Sequence, residues 1–336
     1  MKVSIPFEKA EYEIFVENGG LLKIGEKFSL KNRHVLLVTD EGVPAKYSEI
    51  VAKQCNKVLK ICLPKGEKTK CFDKLLFLTE SMQKAGFTRN SCIVAVGGGV
   101  ISDLCGLVAS IYMRGIDLYI VPTTLMAQAD ASVGGKNAIN YNGVKNFIGT
   151  FYQPSGILVD PQVLQTLDKR YLAEGFVELI KIAVTCDKNF FEQLEKIEPF
   201  SLLTDRIIKK GIELKKGIIE QDPEEKGLRR VLNFGHTIGH AIESAEQGKL
   251  LHGECVGIGM LAFCSNAVQT RILKLLQKWD LPTSTQLDME VLHHFIQYDK
   301  KRLDKKIRVV YVEKIGSFQF LEETVSEILQ RVEKIR

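Results

Sequence analysis

The sequence predicts an α/β amino-terminal domain on a mostly parallel sheet over residues 1–168, then a mainly α-helical domain over 169–336. Three observations predict it. Short apolar, β-branched runs alternate with helix-period segments through the first half, the pattern of a parallel sheet covered on both faces. After Asp168 those runs give way to long amphipathic stretches. The chain, at 336 residues, is also too long for one small core and suits two domains.

In chain order, "HVLLVT" (34–39), "VLKICL" (58–63), "CIVAV" (92–96), "LYIV" (118–121) and "ILV" (157–159) read as strands. Residues 43–56, 69–85 and 100–112 between them carry helical periodicity. Helices follow at roughly 171–186, 189–220, 228–246, 252–278 and 288–296, and "IRVVYVEKIGSFQF" (307–320) reads as a hairpin turning at Gly316. A cleft between two such domains is a common ligand site.

Composition narrows the function classes. An apolar fraction of 45% with 26% charged residues is ordinary for a soluble globular protein. Lys and Arg total 46 against 41 Asp and Glu, a surplus of 46 − 41 = 5. Those basic residues are scattered, which argues against nucleic acid as partner and suits an enzyme with anionic ligands. The eight cysteines show no CxxC pair and several lie in apolar runs, as buried, reduced thiols do. The first residues lack an apolar signal region and no 18-residue apolar run occurs, so the sequence predicts a cytoplasmic protein without membrane contact.

In "IVAVGGGVISDLCG", Gly97, Gly98 and Gly99 follow a strand and open a helix. Glycine lets a phosphate approach the backbone, and the helix start supplies unpaired N–H donors. Ser102 stands where the dinucleotide fingerprint has its last glycine. Another strand ends in Asp40, suited to a ribose hydroxyl, and a third in Thr123 and Thr124. Three polar strand ends at one edge predict a dinucleotide site. Arg114, Asp130, Lys136, Asn140, Lys145 and Asn146 fall in glycine-containing segments with weak helix and strand patterning, which read as loops suited to phosphate contact.

Of six histidines, three fall in one window, His236 and His240 in "VLNFGHTIGHAIES" and His252 in "LLHGECVGIGM". Helical spacing places His236 and His240 one turn apart on one face. Glu178, on the apolar segment "AEGFVELIKIAV" with Lys181 three residues on, is the best carboxylate partner, because a buried charge is paired or metal-bound. A catalytic Zn²⁺ keeps three protein ligands and an open position. Spacing leaves two sets open: Glu178 with His236 and His240, or Glu178 with His236 and His252.

These segments, with "LPKGEKTK", "YMRG", "VPTTLMAQADASVGGK", "VKNFIGTFYQP" and "DKK", resemble the 3-dehydroquinate synthase family of sugar-phosphate cyclases, in family order from about residue 35 to 320. The resemblance implies a tightly held NAD, a divalent metal (usually Zn²⁺, with Co²⁺ an alternative) and a homodimer. By matching positions it implies Glu178, His236 and His252 as metal ligands. It implies NAD contacts from Asp40, Glu67, Lys70, the turn Gly97, Gly98, Gly99, Val100 and Asp103, then Thr123, Thr124, Asp130 and Lys145. The sugar-phosphate substrate falls to Lys136, Asn146, Lys181, Lys215, Arg229, Asn233, His240 and the pair Lys300 and Lys301. The arginine matching Arg114 reaches across the dimer.

The implied reaction turns 3-deoxy-arabino-heptulosonate 7-phosphate into 3-dehydroquinate and phosphate, the second step of the shikimate pathway. A ring hydroxyl is transiently oxidised, phosphate leaves by β-elimination, the hydride is returned, and ring opening with an intramolecular aldol step closes the carbocycle. Arg229 suits a bidentate grip on the substrate carboxylate. The chain departs from the family pattern at Asn137-Ala138, where Thr-Gly is usual, and at Ser102 and Val144, where glycine is usual. The stretch from Met260 to Pro282 is also shorter, and "DKKRLDKKIR" lacks a usual glycine. These departures touch the substrate more than the metal or NAD positions. Competing readings are a cyclase acting on sedoheptulose 7-phosphate or glucose 6-phosphate, a metal-dependent alcohol dehydrogenase, and a non-catalytic binding module. Arg229 and Lys215 favour a carboxylate-bearing substrate.

Overall fold

The computed structural model describes residues 1–5, 10–201, 204–299 and 306–335. It divides into two compact units, Met1–Leu167 with Leu202–Glu224, and Asp168–Ser201 with Glu225–Arg336. The first segment of the first unit stops at Leu167, and residues 204–224 also belong to that unit. Their helix packs through Lys215 on Asp130 and through Glu220 on the backbone N–H of Ser4.

The first unit is built on a seven-stranded sheet. Its strands are β1 (Lys2–Ile5), β2 (Ala10–Val16), β3 (His34–Asp40), β4 (Lys57–Leu63), β5 (Cys92–Gly97), β6 (Asp117–Pro122) and, further along the chain, β9 (Gly156–Val159). Their order is β1-β2-β9-β6-β5-β3-β4, parallel throughout except for β1 against β2. The helices of this unit are α1 (Ile24–Lys27), α2 (Ala45–Ala52), α3 (Phe72–Lys84), α4 (Gly99–Ile111) and α7 (Asp205–Gln221). All five expected strands form. Val35–Val38 of β3 and all of β5 are buried, which is why they read as continuous apolar runs rather than as alternation. β1 and β2 escape a search for such runs because their apolar residues alternate with charged ones, as in "AEYEIFV".

Residues 136–151 correct the expectation of loops. They form an antiparallel hairpin, β7 (Lys136–Tyr141) with β8 (Val144–Phe151). β8 is exposed or half-buried along its whole length, so it lacks the apolar alternation that would reveal a strand.

The second unit is helical: α5 (Lys169–Cys186), α6 (Lys188–Glu195), α8 (His236–Glu246), α9 (His252–Ala262), α10 (Asn266–Lys278), α11 (Met289–Asp299) and α12 (Val325–Val332). One hairpin, β10 (Ile307–Tyr311) with β11 (Gln319–Glu323), joins them. Helix α5 is buried without interruption from Leu172 to Thr185 and α9 from Gly253 to Ala262, the mark of central helices enclosed on all sides. Trp279 stacks on Phe176 of α5, ring centroids 3.9 Å apart.

The stretch 228–246 is not one helix. Leu228–Asn233 makes a short 3₁₀ segment, and α8 starts afresh after Gly235 at φ 79°. A Cβ on Gly235 would lie 2.7 Å from the Val256 carbonyl oxygen, so close packing against α9 as well as the left-handed backbone calls for glycine. The stretch 189–220 likewise divides into α6 and α7, and 252–278 into α9 and α10.

Candidate active site

In the first unit, strand order reverses between β3 and β5: the chain runs outward from β3 to β4, then returns to β5 and goes on through β6 to β9. Ligands of open parallel sheets bind at the carboxyl ends of the strands flanking such a switch. Asp40 ends β3, and Gly97, Gly98 and Gly99 link β5 to α4, with Val100 and Asp103 in its first turns. Thr123 and Thr124 follow neighbouring β6, and the Thr123 N–H donates to the Gly97 carbonyl at 2.9 Å. Burial raises the Asp40 carboxyl above its ordinary value, and its Oδ1 accepts from the Gly42 N–H at 2.7 Å. Ser102 turns its hydroxyl back to the Gly99 carbonyl at 3.0 Å.

A polar cluster centred on buried Lys70 lies beside this edge. Lys70 Nζ donates to Asp103 Oδ2 at 2.5 Å and also meets Asn146 Oδ1. Burial raises the Asp103 carboxyl, and the adjacent Lys70 opposes that shift. Asn140 ties in Glu67, donating to its Oε1 at 2.7 Å, while its own Oδ1 accepts from the Asn146 N–H at 2.9 Å. The hairpin thus brings Asn146, expected at the substrate, onto Lys70, expected at the cofactor. Asp130, in the turn after β6, pairs with buried Lys215 of α7 at 2.7 Å. Lys136 and Lys145 are exposed on the hairpin, and Arg114 is exposed on a turn at φ 72°.

The second unit holds the histidines. The ligand atoms of His236, His240 and His252 all lie within 4.8 Å of one another. Glu178 and Lys181, both fully buried on α5, form an ion pair. Glu178 Oε1 has no hydrogen-bond partner among the described residues and lies 3.9 Å from His252 Nε2. A buried carboxylate oxygen without a donor, facing imidazole nitrogen, is costly in the absence of a cation, and this donor set fits Zn²⁺. Burial, then Lys181, His240 and His252, hold the His236 imidazole well below its ordinary pKa, which keeps it in the neutral form that ligates. His236 Nδ1 faces the Phe234 carbonyl oxygen at 3.2 Å. His252 Nδ1 faces Glu243 Oε2 at 3.1 Å, a residue sequence reasoning missed although it stands seven positions after His236, two turns on along the same helical face.

Arg229 is buried in the 3₁₀ segment before α8. Asn233 ends that 3₁₀ segment rather than sharing a helix with His236, is exposed, and donates to Glu225 Oε1 at 2.5 Å. Lys300 and Lys301 lie outside the described residues.

Family models for the 3-dehydroquinate synthase N-terminal and C-terminal regions match residues 60–174 and 175–302. A 3-dehydroquinate synthase of Latilactobacillus sakei is 37% identical, over 95% of this chain and 94% of its own. The chain belongs to the 3-dehydroquinate synthase family. Among solved structures in this wider fold, the 2-epi-5-epi-valiolone synthase of Streptomyces hygroscopicus subsp. jinggangensis, with NAD⁺ and Zn²⁺ bound, is 26% identical. It superposes with a TM-score of 0.89, covering 97% of each chain. A 2-deoxy-scyllo-inosose synthase with carbaglucose-6-phosphate, NAD⁺ and Co²⁺ has the same fold, at a TM-score of 0.86, 24% identity and complete coverage of both chains.

Proposed function

We propose that this protein is a 3-dehydroquinate synthase, converting 3-deoxy-arabino-heptulosonate 7-phosphate to 3-dehydroquinate and phosphate with NAD and a divalent metal, Zn²⁺ in first place. Beyond family membership, the observation that carries this reading is the cluster of His236, His240 and His252, with the Glu178–Lys181 ion pair facing His252. Bound NAD would supply a reversible hydride acceptor, and the metal would supply Lewis acidity at the oxygen of the hydroxyl being oxidised.

The chain's own groups do the rest. The α4 start and its glycines offer N–H donors to the dinucleotide phosphates, and Asp40 and the Thr123-Thr124 hydroxyls offer partners to its sugars. Lys70 and Asp103 brace each other beside that turn. Glu178, His236 and His252 would hold the metal, with His240 one helical turn from His236 and turned to the substrate. Lys181, Lys215 and Arg229 would meet the anionic groups of a substrate bearing both carboxylate and phosphate. Lys136, Asn146 and Asn233 would orient the phosphate, whose oxygen can take the proton lost as it departs. Lys300 and Lys301 complete the proposed substrate contacts.

The protein would act as a homodimer. Phe72, Tyr141 and Phe147 form a chain of ring contacts (centroids 5.9 and 6.4 Å apart) on the hairpin face, yet all three are exposed, Phe147 by 64%. An apolar cluster of this kind on a surface is the mark of an interface. Eight free cysteines, and no helix among the described residues long and apolar enough to cross a membrane, support a cytoplasmic setting.

The test is phosphate release from the heptulosonate substrate, with and without NAD and a chelator. Release that requires both cofactors, without NADH building up, supports the proposal. Turnover of sedoheptulose 7-phosphate in place of the heptulosonate refutes it in favour of a related cyclase, and steady NADH accumulation in favour of a dehydrogenase.

A further inference from the structure

Glu243 lies on α8 with His236 and His240 at the i, i+4, i+7 spacing of one helical face. It is nearly buried, and its Oε2 lies 3.1 Å from Nδ1 of His252, which comes from α9. Neutral imidazole carries one proton, on one nitrogen or the other. A carboxylate at Nδ1 accepts that proton's hydrogen bond and leaves Nε2 with the lone pair. Nε2 is the atom that faces Glu178 Oε1 at 3.9 Å. The ring therefore stands between two carboxylates, Glu243 behind it and Glu178 in front. His236 has the matching arrangement with a weaker acceptor, its Nδ1 facing a backbone carbonyl.

We infer that Glu243 is a positioning residue that holds His252 in its Nδ1-protonated tautomer and aims Nε2 at the metal. This rests on the metal centre proposed above. Such a carboxylate also makes the imidazole a better donor, so losing it weakens metal binding as well as ring alignment. Its neighbours constrain the same end of α9: Glu174 accepts from the Gly253 N–H at 3.1 Å, and Glu254 takes a two-pronged contact from Arg170. Glu243 is the one of the three in direct contact with an imidazole.

The experiment is a Zn²⁺ affinity measurement by chelator competition on the metal-stripped full-length protein, comparing the natural sequence with Glu243→Ala, Glu243→Gln and His252→Ala. Expected are a loss of affinity of about 10–100-fold in Glu243→Ala and about three- to tenfold in Glu243→Gln, whose amide oxygen still accepts the Nδ1 proton without the charge. If Glu243→Ala does not fold, the Gln variant decides. Affinities within twofold of the natural sequence in the folded Glu243 variants, with His252→Ala losing the metal, overturn this inference and leave the metal centre standing. Should His252→Ala bind Zn²⁺ as the natural sequence does, the metal-centre reading fails and takes this inference with it.

Discussion

Gly106 sits in the middle of α4, where glycine is about 1 kcal/mol worse than alanine. A Cβ placed there would lie 1.7 Å from Asn137 Oδ1 and 2.3 Å from its Cγ. Asn137 cannot simply move aside. It is buried, and its Nδ2 donates to the Gly135 and Tyr152 carbonyls at 2.8 and 3.0 Å, binding the start of β7 to the end of the hairpin. Gly106→Ala should therefore break two hydrogen bonds, about 1 kcal/mol each, and add about 1–3 kcal/mol of crowding. Set against about 1 kcal/mol of helix gain, the net loss is about 2–4 kcal/mol. Asn137→Ala alone should cost about 2–3 kcal/mol. With both changes the clashes with Oδ1 and Cγ disappear and only a tight 3.0 Å approach to the Cβ of residue 137 remains, so the double variant should fall short of the sum by about 2–4 kcal/mol. The single tryptophan, Trp279, lies in the other unit, so its fluorescence would not report this change. Hydrogen exchange at α4 and β7 amides, with urea unfolding followed by circular dichroism, reads the right region. Additive losses, or a Gly106→Ala protein more stable than the parent, would refute the close-approach argument. Because Lys136 neighbours Asn137, the hairpin variants should raise KM more than they lower kcat if Lys136 binds phosphate.

Three other outcomes follow from the same geometry. His252→Ala should lose metal and activity together, whereas His240→Ala should keep the metal by elemental analysis and lose rate; the reverse pattern would assign His240 as the ligand. Lys70→Met should leave Asp103 as an uncompensated carboxylate and destabilise the first unit by about 2–3 kcal/mol at pH 7, measured by urea unfolding. Folded protein treated with a thiol reagent near pH 8 should label exposed Cys62 well before Cys92, which is buried and whose thiol burial pushes from 9.0 up to about 12, cutting its reactive thiolate roughly a thousandfold. Peptide mapping after labelling checks that order.

Sequence alone determined the elements whose chemistry is local. Strands β3, β5, β6 and β9 are buried on both faces, so apolar runs mark them, and the glycines after β5 announce the sharp entry into α4. Buried Glu178 was legible because its neighbours Phe176, Val177, Leu179 and Ile180 are all apolar. Tertiary structure decided what depends on distant partners. The exposed hairpin β7–β8 has no apolar alternation to read, and its strands exist because they pair with each other while Asn137 packs into the space left by Gly106. Helix α7 folds onto the first unit, an outcome its amphipathic pattern could not specify, since periodicity names a buried face but not what covers it. The same limit applied to the histidines. Spacing showed His236 and His240 on one face of α8, while only the packing of α9 placed His252 against Glu178 on one side and Glu243 on the other.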